Sequence, residues 1–327
     1  MKIGAIVPVN SGLWSAAIDG LRRRFPKDEF IVGEETALRD LEGFDAIVAS
    51  KLSVSTLSAA SSLKALFLPI TGANGIPAAL LASRGVKVFN VHANAESVAQ
   101  NALAMILAWF GRTIEFHNDL RSATWHGFWV GRGAEDEWDT IFDRRVAILG
   151  TGAIGSALAS LLAPFRCQIT GWRRHAERPQ PLGFDRMETS LEAVVTGCDI
   201  VVAALPLTTE TQGIIAAPAF AAMRGAFFVN VGRGATVDEE ALWLALRDRS
   251  ISGAGLDVWY RYPQGGATQG APSRFPIHEL PNVILSPHVG GSTRQASRAA
   301  IEATCANLAS WLERGESENA VDLSATY

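Results

Sequence analysis

Two side chains in the second half of the sequence carry the chemistry needed to hold a small anion and to move a proton. Arg233 lies in Asn230-Val231-Gly232-Arg233-Gly234, and His288 lies in Ser286-Pro287-His288-Val289-Gly290-Gly291. Each follows a short apolar run that reads as a buried strand. A guanidinium at a strand end can grip a planar carboxylate through two parallel hydrogen bonds. A histidine presented by proline and freed by two glycines can give a proton to a carbonyl oxygen. Each residue alone has a plainer reading, Arg233 as a structural ion-pair partner and His288 as a hydrogen-bonded loop residue. A third stretch, Arg145 to Gly155 (RVAILGTGAIG), adds the missing context. Val146–Leu149 reads as a buried strand, and Ser156–Leu162 continues as an apolar helix. Between them Gly150, Gly152 and Gly155 form G-x-G-x-x-G. Gly150 permits the tight turn, Gly152 lets a pyrophosphate approach the backbone, and Gly155 lets the helix pack close on the sheet. The helix N-terminus offers free N–H groups and a positive dipole end. A dinucleotide is the expected ligand, and a chance glycine turn is the alternative.

An NAD site places Asp or Glu about 20 residues after the glycines, where it accepts from the ribose 2′-hydroxyl. Here that place falls on Arg173, within Thr170-Gly171-Trp172-Arg173-Arg174. A cation there pairs with the 2′-phosphate of NADP. NADP is therefore the expected cofactor, with NAD as a second choice; a solvated arginine pair is the plainer reading. One more stretch, Leu205-Pro206-Leu207-Thr208-Thr209-Glu210-Thr211, also follows an apolar run.

Elements must position these residues. The chain of 327 residues suggests two domains. Short apolar runs at 2–7, 29–33, 45–49, 64–68 and 86–90 alternate with amphipathic stretches such as Leu13–Phe25. That alternation predicts a parallel sheet covered on both faces. The loop Thr71-Gly72-Ala73-Asn74-Gly75 follows one such strand, at the end where open α/β sheets bind ligands. It reads equally well as a plain glycine-rich turn. One long apolar helix is expected from Ala95 to about Phe116. A loop with Trp125, Phe128, Trp129 and Trp138 follows, suited to covering the chain's own core or a subunit interface. Further strands are expected near 146–149, 167–172, 199–203, 226–230, 252–256 and 282–285, with a helix at Asp238–Arg247. The helix Ser292–Arg314 is expected to return to the first domain. The fold class is α/β, with two Rossmann-like doubly wound parallel-sheet domains. Residues 1–94 plus 292–327 form one, flavodoxin-like, and 95–291 the other. The loop Gln264–Pro276 is the expected mobile segment.

Bulk properties narrow the function. Apolar residues make up 48% of the chain and the net charge is −4, which gives no footprint for nucleic acid or an anionic membrane. The apolar run Ala102–Phe110 is too short to span a bilayer. The first residues, MKIGAIVPVN, read as a strand rather than a signal peptide. Cys167, Cys198 and Cys305 are too scattered for a metal site or a disulfide framework, so no metal is expected and a reducing cytoplasm is the natural compartment.

Taken in order, LGTGAIG, ALPLTTETQGII, NVGRGATVDEEAL, GAGLDVW and PNVILSPHVGGST resemble the signatures of the D-isomer-specific 2-hydroxyacid dehydrogenases. The resemblance covers nearly the whole chain and is strongest from Val146 to Thr293. It implies two Rossmann-like domains with a cleft between them that closes on substrate, hinged near 95 and 290. It also implies a homodimer through the nucleotide domains, here involving the helix from Ala95 and the aromatic loop 125–138. The implied reaction is hydride transfer between a nicotinamide cofactor and a small 2-hydroxy or 2-keto acid. By resemblance Arg233 binds the substrate carboxylate and polarises the keto oxygen, and His288 is the general acid in reduction. Thr71, Gly72, Ala73 and Asn74 contact the carboxylate. Gly150, Thr151, Gly152, Ala153, Ile154, Gly155, Arg173, Arg174, Leu205, Pro206, Thr211, Val231, Gly232, Asp257 and Gly290 surround the cofactor, with Asp257 accepting from the nicotinamide carboxamide.

Three positions depart from the family pattern: Tyr262 stands where Glu usually pairs with the catalytic His, Gln100 replaces Glu in Ser-Val-Ala-Glu, and Asn74 replaces Asp. The expected activity is NADP-preferring reduction of glyoxylate or hydroxypyruvate. A formate- or phosphite-type dehydrogenase and a non-catalytic nucleotide-sensing relative are the alternatives.

Overall fold

A computed structural model describes residues 1–8, 11–33, 41–73, 75–174 and 179–323. Asn74 lies outside the described residues. The chain divides into two compact units, Met1–Asn94 with Ser292–Tyr327, and Ala95–Gly291.

Unit 1 holds strands β1 (Lys2–Ile6), β2 (Glu29–Gly33), β3 (Ala46–Ala49), β4 (Ala65–Phe67) and β5 (Lys87–Phe89). All pair in parallel, in the order β2-β1-β3-β4-β5. Every residue of β3 is buried, as a parallel strand covered on both faces requires. One face packs on α1 (Gly12–Arg24) and on the last helix of the chain, Arg294–Arg314, through Trp14, Ile18, Leu308 and Trp311. The other packs on α2 (Val54–Ala59) and α3 (Ala78–Ser83) through Leu57, Leu66 and Leu81. Ser11 caps α1 by accepting from the N–H of Trp14. The loop after β4 is tied down within its own unit. Asn90 Nδ2 donates to the Thr71 carbonyl at 2.7 Å, and the Thr71 hydroxyl donates to Asn94 Oδ1 at 2.8 Å.

Unit 2 begins with α4 (Ala95–Phe110) and α5 (Thr113–Arg121). These replace the single helix expected to about residue 116. The break falls at Gly111 and Arg112, where Arg112 takes a left-handed φ of 49°. The apolar pattern misleads here because Ile114 and Phe116 prolong it, although α5 buries no residue. The remaining elements are β6 (Arg145–Leu149), α6 (Ala153–Leu162), β7 (Gln168–Trp172), β8 (Arg186–Glu188), α7 (Leu191–Val195), β9 (Ile200–Ala203), α8 (Ala217–Ala222), β10 (Phe227–Asn230), α9 (Glu239–Arg247), β11 (Gly253–Leu256) and β12 (Val283–Leu285). The helix Arg294–Arg314 of unit 1 is α10. The seven strands run in parallel, in the order β12-β11-β10-β9-β6-β7-β8. Edge strand β8, Arg-Met-Glu, has no apolar signal and was not expected from the sequence. The aromatic loop forms two short 3-10 turns, Gly127–Val130 and Ala134–Asp136. No described helix is long and apolar enough to cross a membrane.

Candidate active site

The glycine loop joins β6, an interior strand of the unit 2 sheet, to α6. The chain order reverses between β6 and β9, and ligands of open α/β sheets sit outside the strand ends at such a point. Three glycines meet three different demands. Gly150 has a φ of +102°, and a Cβ there would lie 2.7 Å from the Ala204 carbonyl oxygen. A Cβ on Gly155 would lie 2.1 Å from the Gly150 carbonyl oxygen, so the helix start is pressed against the turn. A Cβ on Gly152 would meet nothing within 4 Å. Gly152 is also the N-cap of α6 and supplies no side-chain cap. Open space faces the uncapped N–H groups, which suits a pyrophosphate. Thr151, Ala153 and Ile154 complete this turn. The residues present therefore fit a dinucleotide.

Arg173 and Arg174 follow β7 directly. Arg173 donates to the Pro179 carbonyl at 3.0 Å, and Arg174 pairs with Glu210 from the loop after β9. No acid occupies either position. In the loop after β9, Leu205 is buried against Gly232, where a Cβ would lie 2.5 Å from the Leu205 carbonyl oxygen. Thr211 is buried, and its hydroxyl donates to the Pro206 carbonyl at 2.6 Å. It closes its own loop, so its part at a cofactor would be to shape the wall. Val231 is buried next to Gly232.

Arg233 sits at the end of β10 and is partly buried. Asn230 holds its backbone: Nδ2 donates to the Arg233 carbonyl at 3.2 Å, while Oδ1 accepts from the Gly232 N–H at 3.1 Å. Thr236 Oγ1 donates to the same Arg233 carbonyl at 2.7 Å. One guanidinium nitrogen donates to the Gly232 carbonyl at 2.8 Å. Among the described residues no carboxylate pairs with Arg233, which leaves the cation open to an anionic ligand.

His288 follows β12 with a φ of +61°, left-handed for a non-glycine residue. Asp257 holds it there. This buried carboxylate accepts from Ser286 Oγ, from the Val289 N–H at 3.0 Å and from the Gly290 N–H at 3.1 Å. A Cβ on Gly290 would lie 2.7 Å from Asp257 Oδ2. In this structure Asp257 is the clamp of the histidine loop. Burial pushes the His288 pKa down; the Asp257 charge opposes this and the Arg233 charge adds to it.

Tyr262 reaches the histidine by its ring. The two ring centroids are 5.4 Å apart with planes at 44°. Its hydroxyl accepts the Trp259 main-chain N–H at 3.0 Å, and its contact with the imidazole is ring to ring. The structure thus gathers Arg233, Asp257, Tyr262, His288 and Gly290 in unit 2. The loop Thr71–Ala73 belongs to unit 1. Sequence reasoning missed Asn230, Ser286 and Trp259 as supports. For Asn230 and Ser286 the available signal was a polar residue closing an otherwise apolar strand run just before a glycine or proline; Trp259 carried no such signal.

A profile described as the NAD binding domain of the D-isomer specific 2-hydroxyacid dehydrogenases matches residues 103–290. The chain is 33% identical over 234 residues to glyoxylate/hydroxypyruvate reductase B of Pectobacterium carotovorum subsp. carotovorum, covering 69% of this chain and 68% of that one. It is 29% identical over 316 residues to D-3-phosphoglycerate dehydrogenase 1 of Saccharomyces cerevisiae, covering 93% of this chain but only 64% of the yeast protein. Among solved structures, an NADPH-dependent glyoxylate/hydroxypyruvate reductase from Sinorhizobium meliloti, in complex with NADP and malonate, superposes with a TM-score of 0.76. That pair is 27% identical, with 99% of this chain and 97% of that chain covered.

Proposed function

The chain belongs to the D-isomer-specific 2-hydroxyacid dehydrogenases, and we propose that it reduces small 2-keto acids, glyoxylate or hydroxypyruvate in type, with NADPH. The observation that carries this reading is the open Arg233 guanidinium beside a clamped His288. Arg233 binds the substrate carboxylate and draws electron density from the keto oxygen. His288 donates the proton that converts that oxygen to a hydroxyl. When bound, the nicotinamide supplies the hydride. The ring of Tyr262 beside His288 narrows the site and favours small acids. Homologues named for glyoxylate and hydroxypyruvate support that substrate class.

Arg173 in place of an acid supports NADPH over NADH. A charge-assisted hydrogen bond to the 2′-phosphate contributes about 1.5–3 kcal/mol, roughly ten- to hundred-fold in affinity. The protein is expected to act as a homodimer. A reducing compartment, the cytoplasm, suits three cysteines that are all free thiols.

The test is a panel of 2-keto acids with NADPH or NADH, followed by nicotinamide absorbance. Turnover of glyoxylate or hydroxypyruvate with NADPH, abolished in Arg233→Ala, is the expected result. Turnover of formate or phosphite alone, or of nothing, overturns the reading. Equal use of NADH overturns the role of Arg173.

A further inference from the structure

One buried residue meets the histidine loop, Tyr262 and the turn beside Arg233, and the reaction chemistry does not use it. Trp259, 7% exposed, lies two residues after Asp257. Its indole N–H donates to the Ser286 carbonyl at 2.9 Å. Ser286 is the residue whose hydroxyl donates to Asp257, and it stands two residues before His288. The main-chain N–H of Trp259 donates to the Tyr262 hydroxyl at 3.0 Å, which fixes the ring that packs on His288. The main chain of Trp259 also presses on Gly234, next to Arg233; a Cβ there would lie 2.2 Å from the Trp259 carbonyl oxygen. The indole belongs to the core that covers one face of the unit 2 sheet, so these three contacts have a rigid common base.

We propose that Trp259 is a positioning residue that holds the His288 loop and Tyr262 in register with Arg233, and so sets the geometry in which proton donor and anion-binding cation face one substrate. This rests on the reading of His288 and Arg233 given above. A leucine or phenylalanine fills a core as well as tryptophan does, but neither donates a hydrogen bond. The buried donor is spent on the carbonyl that fixes the entry of the histidine loop. With His288 in a left-handed conformation, that entry needs an anchor on each side. Asp257 supplies one through the N–H groups of Val289 and Gly290. On the other side Trp259 holds the Ser286 carbonyl, beside the bonds of the Ser286 hydroxyl to Asp257 and of its N–H to Leu256. Loosening the second anchor lets the imidazole leave the Tyr262 ring and gain water. Among the described residues of unit 2, the charged and titratable groups facing His288 are Asp257, Arg233 and Tyr262, and none of them is removed by changing Trp259.

The experiment is Trp259→Phe in the full-length protein, which keeps a buried aromatic ring while removing the indole donor and part of the ring volume. Two readouts are taken. The first is the titration of the His288 imidazole by NMR, assigned by comparison with His288→Gln, with no substrate or cofactor present. The second is the steady-state kinetics of keto-acid reduction together with the NADPH Kd. The expected result is a His288 midpoint that moves up toward the ordinary histidine value. It comes with a kcat lowered about tenfold and an NADPH Kd within twofold of wild type, because Trp259 does not touch the glycine loop. If Trp259→Phe does not fold, Tyr262→Phe decides; it removes the acceptor of the Trp259 main-chain N–H and is expected to move the midpoint in the same direction. An unchanged midpoint with kcat within twofold of wild type, in a folded variant, overturns the proposal. If the wild type reduces no keto acid, the functional reading falls, and the NMR titration still decides whether Trp259 positions the histidine.

Discussion

His288 must carry a proton for reduction in surroundings that favour losing it. Burial lowers its pKa from the ordinary 6.5, the Arg233 charge lowers it further, and Asp257 opposes both. In a family where this histidine is usually paired with glutamate, Tyr262 is neutral and contributes ring contact without charge. Reduction needs the protonated imidazole, so kcat/KM for a keto acid is expected to fall as pH rises through a value below 6.5. In the oxidative direction the rate should rise through the same value. Tyr262→Glu puts an anion beside the ring and should move the descending limb to higher pH. Coincident limbs in wild type and a folded, active Tyr262→Glu would exclude position 262 from any influence on His288. Much of this site was legible in the sequence, because chemistry needs particular residue types at strand ends: Arg233, His288 and the three glycines stand there. The direction of the Tyr262 hydroxyl was not legible. It depends on the backbone turn at Trp259, which no local pattern encodes. The donors to Asp257 come from a loop about thirty residues later, a long-range pairing that only the fold displays.

The glycine loop separates at the scale of elements what a sequence motif lumps together. Gly155 is required by packing, whereas Gly152 faces open space and is proposed to let a pyrophosphate approach, so alanine should affect them differently. Gly155→Ala drives a methyl into the Gly150 carbonyl. Overpacking of this kind costs about 1–3 kcal/mol, or roughly 2–4 °C of melting temperature per kcal/mol in a domain of this size. Gly152→Ala meets nothing within 4 Å and has an ordinary extended backbone, so it should melt like wild type and bind NADPH at least tenfold more weakly. Calorimetry and fluorescence titration of the two variants check this; equal melting temperatures, or undiminished NADPH binding by Gly152→Ala, would contradict it. The connection after α5 makes a second element-scale case. Both ring nitrogens of His126 reach carboxylates, Nδ1 to Asp136 at 2.9 Å and Nε2 to Asp119 at 2.8 Å, which requires the imidazolium. Asp136 and Asp119 accordingly raise its pKa above 6.5. A raised folded pKa stabilises fully below the unfolded value of about 6.5, and that stabilisation is lost as pH rises through the folded value. The melting-temperature advantage of wild type over His126→Gln should therefore shrink across that window, and a constant difference would refute the clamp. Strands and long helices were legible from apolar runs and helical spacing. The break at Gly111-Arg112 and edge strand β8 were not, because the apolar pattern continues across the first and is absent from the second.

At the scale of the whole molecule, the surface of unit 2 presents an apolar cluster that a lone chain leaves in water. Phe128 is 84% exposed, Trp129 81% and Trp138 59%, and Ile114 and Leu120 of α5 are exposed near them in sequence. The first two rings meet edge to face, 5.3 Å apart, so they form a compact apolar knob. Scattered apolar side chains on a surface are ordinary, but a contiguous patch of large aromatics marks an interface. The segment is also held in shape. Arg112 ties the start of α5 to the carbonyls of Glu135 and Glu137, and His126 ties its far end through Asp119 and Asp136. A pre-shaped apolar surface loses little entropy on association, which favours a stable partner over a transient one. A second copy of the chain is the expected partner, because most soluble oligomers are two-fold symmetric and apply the same patch twice. Stable interfaces of that kind commonly bury more than about 2,000 Å². Light scattering at micromolar concentration should therefore give twice the mass of one chain. Replacing Phe128 and Trp129 together by serine should shift the protein toward the monomer. It should also lower the melting temperature at low protein concentration more than at high, since dimerisation stabilises by mass action. The glycine loop does not take part, so NADPH binding by the serine variant should stay close to wild type. A wild-type monomer, or a dimer untouched by the double substitution, would place the interface elsewhere and return the aromatic loop to some other role.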